Sequence, residues 1–512
     1  MKYLLAAEAD KIQDMIFRAT RLQSIVGGSQ LLTDWCADMA KAMGSCGIPD
    51  KDIVVADGGA FRVIFSDFDQ ARQWTEVLAE SYYKKFGTTI TIVPPIEMPN
   101  GSYQVASQIV QRQLRKAKNR PAARATDLHN PYVAQCSVCG VGLAEAIGKG
   151  ARLCSACAIR QSNDRSSFLQ AFIDEVACGD CAEAGLTWTT DIDKLSRHDA
   201  RSNVAYLAAD GNDMGALFGR CNQEQAKYLS AALPDIMRQA LAEATRQQIK
   251  RIHSDSGEGS HLSPVLPLII GGDDLFAVLA TPYCLDFVRL FAGTYLAKMS
   301  QTLREIGFKD VTPSLSCSLV ISKGKYPHDF AHERAMALLE QAKAVARMRA
   351  AEQGTSLVAL GFCADALDKS PRGQYIDTLQ PYALADDQQD GLVPLKSLID
   401  ARYRLRKVPT SRLAEFHLLY DINALPSDNS GPEWEEWTRQ LNFLLDRTGR
   451  DTEDHKDIKA ALELLGSADP NHGYMRYSYH SRKYGTALPD LLKFWDYAKD
   501  LSRPEEDYED DR

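Results

Sequence analysis

The stretch Leu268–Ala280, LIIGGDDLFAVLA, places two adjacent aspartates behind two glycines, with apolar residues on both sides. The apolar runs predict two buried strands, and the glycines predict a tight turn between them. Adjacent carboxylates repel each other and cost desolvation free energy at a buried hairpin. A divalent cation would offset both costs, because Mg²⁺ binds carboxylate oxygens, water and substrate phosphates. The hairpin therefore predicts a metal site at Asp273 and Asp274, although a surface β-turn uses the same residue types.

A third carboxylate, Asp210, ends the apolar run Asn203–Asp210. In a βαββαβ sheet the first strand lies beside the central hairpin, which would bring Asp210 within reach of Asp273 and Asp274. The glycines Gly271 and Gly272 let the backbone turn sharply and let a triphosphate approach. Two metal ions held by these acids can activate a hydroxyl group and stabilise a leaving pyrophosphate.

The same order of elements occurs twice, which predicts an α+β protein with two ferredoxin-like (βαββαβ) modules. When the glycines of the two hairpins are aligned, Ala60 and Phe61 of the first module stand opposite Asp273 and Asp274. The first module is therefore expected to be a degenerate partner that still binds a ligand. The predicted elements are Lys2–Glu8, 10–42, Asp52–Phe65, Phe68–Lys85 and Thr88–Pro94 in the first module, and Asn203–Asp210, 214–252, the hairpin, 283–306, Ser314–Ile321 and 329–350 in the second.

Four cysteines have the spacing of a structural zinc site: Cys136 and Cys139 in CSVC, and Cys154 and Cys157 in CSAC. Each pair can direct two thiolates at one ion, and the residues between the pairs suffice for a hairpin. Four thiolates leave no open coordination position, so we expect no catalysis there. The further pair in CGDC, at 178 and 181, has no partner pair, and we do not predict a metal there.

Composition sets limits on the function of the 512-residue chain. A formal net charge of −9 argues against a protein that coats nucleic acid by itself, although a local basic groove or a basic partner remains open. No window holds 18 consecutive apolar residues, so no membrane partner is expected. Twelve cysteines without a secretory signal indicate a reducing compartment, and we expect a cytoplasmic protein.

Composition and motif positions divide the chain into five parts. The linker 115–131 is basic and broken by proline, and the last residues are strongly acidic. The predicted parts are a first, degenerate module at 1–114, a linker and zinc segment at 115–200, a second module with GGDD at 201–365, a helical C-terminal domain at 366–502 and an acidic tail at 503–512.

Several of these stretches resemble the large subunit of type III CRISPR complexes, the CRISPR-associated protein 10 family. The resemblance covers roughly residues 1–360 and is strongest in the second module. By this resemblance the two modules correspond to the family's first and second palm domains. It is carried by LIIGGDDLFAVLA, by YLAADGNDMGALF (206–218), by SLSCSLVISKGKYPHDFAHERAMALLEQAKAVA (314–346), by KIQDMIFRATRLQSIVGGSQLL (11–32) and by the four-cysteine segment.

The resemblance implies a nucleotidyltransferase that joins ATP into cyclic oligoadenylates. The 3′-hydroxyl of one ATP would attack the α-phosphate of another, with the partner nucleotide in the first palm. Asp210, Asp273 and Asp274 would be catalytic ligands of two Mg²⁺ or Mn²⁺ ions, with Gly211 beside the metal. Ser29 would contact nucleotide between the palms, although a packing or capping serine is an equal interpretation. Lys343 would approach the phosphates, the alternative being a solvated surface lysine.

The sequence also departs from the family. Many members begin with an HD nuclease domain, whereas this chain starts in the first palm, and its two His-Asp strings lie outside a helical, His-rich setting. No C-terminal motif matches, which leaves open whether the chain docks on a CRISPR backbone or is a stand-alone palm-domain relative in another defence system. If it docks, RNA and other CRISPR-type complex subunits are expected partners beside ATP. Two alternatives stay open: a non-catalytic scaffold of an RNA-guided complex, and a GGDEF-like cyclase that uses GTP.

Overall fold

The computed structural model describes most of the chain. Most of the predicted linker, Cys181 and nearly all of the acidic tail lie outside the described residues. Those residues are 1–9, 12–17, 22–118, 134–148, 150–162, 166–178, 186–256, 262–349, 354–363, 379–386, 392–420, 425, 430–449, 452–478 and 483–503.

The first module forms a four-stranded antiparallel sheet in the order β2-β3-β1-β4. This is the predicted ferredoxin-like arrangement. Its helix α4 ends four residues beyond the boundary predicted at 114 and contacts the sheet through β1 and β4. The elements are β1 (Tyr3–Ala9), α1 (Ile12–Phe17), α2 (Leu22–Ser45), β2 (Ile53–Asp57), β3 (Ala60–Phe65), α3 (Phe68–Phe86), β4 (Ile90–Glu97) and α4 (Tyr103–Lys118).

Helix α3 shows how local sequence sets these bounds. The Asp67 carboxylate caps its first turn by accepting a hydrogen bond from the Gln70 amide at 2.8 Å. Gly87 ends the helix in the left-handed conformation, with φ 65°. Between the caps, apolar residues recur at helical spacing and face the core; they are Ala71, Trp74, Leu78, Tyr82 and Phe86.

A small segment follows the first module. Of its second cysteine pair, Cys154 lies between the hairpin and the first helix, and Cys157 lies within that helix. The helix Ser166–Ala177 lies against a long helix of the second module. The elements are β5 (Ala146–Gly148), β6 (Ala151–Leu153), α5 (Ser155–Ser162), α6 (Ser166–Ala177) and α7 (Ile192–Leu195).

The second module repeats the βαββαβ order and extends its sheet to six strands, in the order β12-β11-β10-β7-β9-β8. The added strand β11 runs parallel to β10. Because β12 joins the same sheet, the boundary predicted at 365 cuts off one of its strands. The elements are β7 (Asn203–Gly211), α8 (Met214–Phe218), α9 (Gln223–Ser256), β8 (Val265–Gly271), β9 (Asp274–Ala280), α10 (Cys284–Glu305), β10 (Leu315–Lys323), α11 (His328–Arg349), β11 (Leu357–Cys363) and β12 (Tyr382–Ala383).

The C-terminal part is mainly helical, as the sequence predicted. Asp490 in its last helix accepts a hydrogen bond from the Tyr382 hydroxyl, which ties this part to the edge of the second sheet. No helix among the described residues is long and apolar enough to span a bilayer. The elements are α12 (Leu395–Leu405), α13 (Thr410–Leu419), α14 (Pro432–Arg447), α15 (Glu453–Leu465), β13 (Arg476–Ser478), β14 (Lys483–Gly485) and α16 (Leu488–Lys493).

The two modules pack against each other through equivalent elements. Helix α2 of the first lies on strand β8 of the second, and helix α9 of the second lies on strand β2 of the first. The two glycine turns meet, since a Cβ built on Gly58 would lie 3.9 Å from the carbonyl carbon of Gly271. The packing therefore places both hairpin tips at one interface.

Candidate functional site

The three predicted carboxylates meet where β7 and β9 pair. Asp210 is the cross-strand partner of Asp274, and Asp274 in turn pairs with Gly271. Asp273 lies in the turn, and its carbonyl accepts a hydrogen bond from the Gly211 amide at 3.3 Å. Gly272 has φ 59°, a conformation that favours glycine. Strand register thus brings Asp210 to the hairpin, as the sequence led us to expect.

The environment of Asp273 and Asp274 opposes their ionisation. Burial and the neighbouring Asp210 raise the pKa of Asp273 to about 7. Burial, a hydrogen bond with Asp210 and the charges of Asp210 and Asp273 raise the pKa of Asp274 well above its usual range. Three ionised carboxylates at this position need a compensating cation, which is the condition that a divalent metal satisfies.

A positively charged side chain, Lys343, already contacts one of these acids. The Lys343 Nζ on α11 lies 2.9 Å from Asp210 Oδ1. Burial lowers the pKa of Lys343, but the adjacent Asp210 outweighs burial and the net shift is upward. Only 14% of this lysine side chain is exposed, so it is not the solvated surface lysine that the sequence allowed.

An open cavity of about 940 Å³ borders the acids. Asp210, Gly211, Asp273 and Lys343 line it, whereas Asp274, Gly271, Gly272 and Ser29 do not. Its walls combine apolar and basic side chains. The apolar ones are Met214, Leu217, Met299, Leu303 and Val311, and the basic ones besides Lys343 are Arg115, Arg220 and Arg347.

The cavity wall after β7 is held by polar contacts. Asn212 accepts a hydrogen bond from the Ser316 hydroxyl at 2.8 Å and donates one to Ser314 Oγ at 3.2 Å. The backbone N–H of Asn212 also donates to the backbone carbonyl of Ser314 at 2.9 Å. Because Ser314 and Ser316 lie at the start of β10, these bonds fix the wall relative to the central strands of the sheet.

Gly211 lies at the tightest point of the site. A Cβ there would lie 2.9 Å from Met214 Cγ, 3.0 Å from the Tyr295 hydroxyl and 3.2 Å from the Cβ of Asp273. Burial, followed by the charges of Asp273 and Asp210, raises the pKa of Tyr295, so its hydroxyl stays protonated beside the acids. The sequence analysis missed Tyr295, since its position in the middle of α10 carries no motif.

The register corrects the predicted alignment of the two hairpins. Strand β1 pairs Glu8 with Ala60, just as β7 pairs Asp210 with Asp274. The Ala9 amide donates to Gly59, just as the Gly211 amide donates to Asp273. Gly59 and Ala60, rather than Ala60 and Phe61, therefore occupy the positions of Asp273 and Asp274.

The physical reason is that the glycine doublets have different roles. Gly58 and Gly59 both lie in their turn with positive φ, whereas in the second hairpin only Gly272 does, and Gly271 is the last residue of its strand. The conclusion that the first palm lacks these two carboxylates is unaffected.

Ser29 is buried in α2, the helix that packs against β8 of the second palm. Its backbone carbonyl accepts a hydrogen bond from the Thr33 hydroxyl at 3.4 Å. The position is at the palm interface but outside the cavity, so a role in nucleotide contact remains a prediction.

The four predicted cysteines form a compact cluster. Cys136, Cys139, Cys154 and Cys157 have all their sulfur atoms within 4.8 Å of one another, and the Sγ atoms of Cys139 and Cys154 are 3.8 Å apart. A tetrahedron with Zn–S bonds of about 2.3 Å has sulfur atoms roughly 3.8 Å apart. The cluster can therefore hold a metal ion such as zinc.

Among the described residues, this cluster is the one set of three or more ligating side chains whose ligand atoms all lie within 4.8 Å of one another. Asp210, Asp273 and Asp274 are more widely spread, and Lys343 occupies one oxygen of Asp210. The acids fit a metal site in their chemistry and in their shared corner of the sheet.

The chain thus combines two ferredoxin-like palms, with adjacent acids at the hairpin of one palm only. Residues 203–351 match the family model of the second palm domain of Cas10/Cmr2. This part of the chain is similar to that palm domain, which confirms the resemblance predicted from the sequence. No curated protein sequence matches the chain.

Solved structures of Csm1 have a similar fold. Csm1 in T. onnurineus is 14% identical, with a TM-score of 0.54 over 98% of this chain and 70% of that one. A Csm1–Csm4 cassette in complex with cA3 is 15% identical, with a TM-score of 0.52 and coverage of 98% and 70%. The cassette in complex with cA4 is 14% identical, with a TM-score of 0.51 and coverage of 90% and 70%. The predicted α+β architecture with two palms is thereby confirmed.

Proposed function

We propose that this chain is a nucleotidyltransferase of the GGDD palm type, which makes cyclic oligoadenylates from ATP in prokaryotic antiviral defence. The observation that carries the proposal is the shared cavity of Asp210, Asp273 and Lys343, with apolar and basic walls beside it. Support also comes from the Cas10/Cmr2 palm match and from similar folds whose Csm1–Csm4 cassettes contain cA3 or cA4.

The acids divide the work in this proposal. Asp210 and Asp273 would hold two Mg²⁺ or Mn²⁺ ions from the cavity side, and Asp274 would complete the ligand set from β9. Such ions activate an attacking hydroxyl group and neutralise charge on a leaving pyrophosphate. Lys343 would stabilise negative charge on the phosphates, since it approaches the cavity with its charge maintained by Asp210.

The reaction joins the 3′-hydroxyl of one ATP to the α-phosphate of another. The 3′-oxygen forms a bond to the α-phosphorus as its proton passes to solvent water, the bond from the α-phosphorus to the bridging oxygen breaks, and pyrophosphate leaves with that electron pair. The apolar wall offers a surface for an adenine ring, and the first palm would hold the partner nucleotide. Ser29 is proposed to act there, and Gly211, Gly271 and Gly272 to keep the backbone close to the phosphates.

Zinc is proposed as the structural ion of the four-cysteine cluster, where four thiolates leave no open position. Partner subunits of a CRISPR-type complex and RNA are proposed as further ligands. The precedent is that the related Csm1 structures include assemblies with Csm4.

The test is product analysis. Purified protein is incubated with Mg²⁺ or Mn²⁺ and each nucleoside triphosphate, with and without target RNA and partner subunits, and the products are identified by mass spectrometry. Cyclic 3′–5′ oligoadenylates are expected from ATP. Products from GTP alone would favour the GGDEF-like cyclase, and no product under any condition would favour the scaffold; either result contradicts the proposal.

A further inference from the structure

Helix α4 of the first palm contacts the cavity wall of the second palm through a row of glutamines. Gln104, Gln108 and Gln111 follow helical spacing, so they lie on one face. Their side-chain amides donate to backbone carbonyls of the second palm: Gln104 to Arg220 at 3.2 Å, Gln108 to Gly219 at 2.8 Å and Gln111 to Gly215 at 2.7 Å.

The acceptors explain why this row matters. All three carbonyls belong to the wall that follows β7, and α8 within that wall is only five residues long. The Gly215 carbonyl also accepts a hydrogen bond from the Gly219 backbone N–H at 3.1 Å, so Gln111 adds a second bond there. The Gly219 and Arg220 carbonyls lie beyond the end of α8, where no intrahelical bond reaches them. The opposite face of α4 is buried in the first palm. The first palm thus fixes one wall of the cavity that contains Asp210 and Asp273.

The next position on the same face is Arg115, which lines that cavity. A Cβ built on Gly215 would lie 3.2 Å from Arg115 Nη2, so the guanidinium reaches the wall. Within the described part of the chain, no carboxylate lies within ion-pair distance of Arg115. By contrast, Lys343 is paired with Asp210, and Arg220 lies over the Phe308 ring at 5.3 Å.

We propose that Arg115 of the first palm binds phosphate of the nucleoside triphosphate held in the second palm, and that Gln104, Gln108 and Gln111 position the wall beside it. This inference rests on the proposed function, because it assumes a nucleotide in that cavity. A guanidinium presents parallel N–H groups that match phosphate oxygens, which suits a residue with no competing carboxylate. The second palm therefore depends on the first for a ligand contact as well as for packing.

The Arg115 test uses nucleotide binding, so it does not depend on turnover. Adenosine 5′-(α,β-methylene)triphosphate is titrated with Mg²⁺ by calorimetry against wild type, Arg115→Ala, Arg115→Lys and Arg112→Ala. Arg112 is the matched control, because it is exposed on α4 and does not line the cavity. Loss of a charge-assisted phosphate contact predicts a Kd about 10- to 100-fold higher for Arg115→Ala. Arg115→Lys should restore part of the affinity, and Arg112→Ala should match wild type.

The glutamine row is tested with Gln111→Ala against Gln113→Ala, an exposed neighbour on α4. Gln111→Ala is expected to weaken nucleotide binding while the midpoint of thermal unfolding stays within the range of the control. If Arg115→Ala binds as tightly as wild type, or if Arg112→Ala weakens binding equally, the inference is wrong and the proposed function is untouched. If wild type binds no nucleotide, the proposed function and the inference both fail.

Discussion

Glu8 and Asp210 occupy equivalent positions at the ends of the first strands of the two palms, and each pairs with a lysine from the last helix of its own palm. Lys118 Nζ lies 2.9 Å from Glu8 Oε2, and Lys343 Nζ lies 2.9 Å from Asp210 Oδ1. The difference is Arg62, which also pairs with Glu8. In the first palm, Arg62 and Lys118 thus neutralise Glu8. In the second palm, Asp210 has one lysine partner and two neighbouring acids, Asp273 and Asp274.

Glu8→Gln is expected to destabilise the protein at neutral pH. Burial raises the pKa of Glu8, but Arg62 and Lys118 outweigh burial, and the net shift is downward. A lowered folded-state pKa means stabilisation that is present above the unfolded pKa, near 4.3, and lost as pH falls through the folded value. Loss of these charge-assisted bonds should lower the free energy of unfolding at pH 7 by about 1–3 kcal/mol.

The measurement is urea unfolding of wild type and Glu8→Gln at pH 7 and at pH 4. The difference should shrink at the lower pH. Glu80→Gln is the control, because Glu80 forms an ion pair with Lys84 in which both side chains are mostly exposed, and little change is expected there. An equal loss at both pH values would contradict the role assigned to the Glu8 charge.

Cys154→Ser is expected to abolish zinc binding and to lower the thermal unfolding midpoint. The cluster loses one of four thiolates, and the loss should extend to the first palm through Arg160. That buried arginine on α5 donates to the Met15 carbonyl at 3.0 Å, so the zinc segment is tied to α1. Metal content by mass spectrometry and unfolding by calorimetry test this. Cys46→Ser, at an exposed cysteine of the first palm, should change neither.

Gly211→Ala is expected to weaken Mn²⁺ binding at the second palm. The added Cβ would meet Met214, Tyr295 and the Cβ of Asp273 at 2.9–3.2 Å, so the side chain of Asp273 must shift. Disturbing a residue that orients a metal-ligating side chain lowers metal affinity by about 10- to 100-fold. Titration of free Mn²⁺ by electron paramagnetic resonance measures the effect.

Gly44→Ala provides the control for that experiment. Gly44 lies in α2, and a Cβ there meets nothing within 4 Å. Wild-type Mn²⁺ affinity in Gly211→Ala would show that the backbone around Gly211 does not position the acids.

The sequence predicted the elements that depend on local pattern. Continuous apolar runs and turn glycines located β8 and β9 to within a few residues, and the cysteine spacing located a cluster whose sulfur atoms do lie together. Asp210 could be placed beside Asp274 because the βαββαβ order fixes which strands are neighbours. These features follow from periodicity and topology alone.

Contacts between modules could not be predicted in this way. Gln104, Gln108, Gln111 and Arg115 form a polar helix face that resembles an ordinary solvated surface until the second palm is packed against it. The hairpin alignment failed by one residue because identical glycine doublets serve different turn positions. Strand β12 was missed as part of the second sheet, since its two residues carry no strand pattern of their own.

The most direct test of the central claim is pyrophosphate release from ATP by the Asp273→Asn, Asp274→Asn double variant, under conditions where wild type forms oligoadenylates. Asp69→Asn, on the first turn of α3 and outside the cavity lining, is the matched control. If the acids hold the catalytic metal ions, the double variant should release no pyrophosphate above background, whereas the control should equal wild type. Turnover by the double variant at the wild-type rate would contradict the assignment of the site.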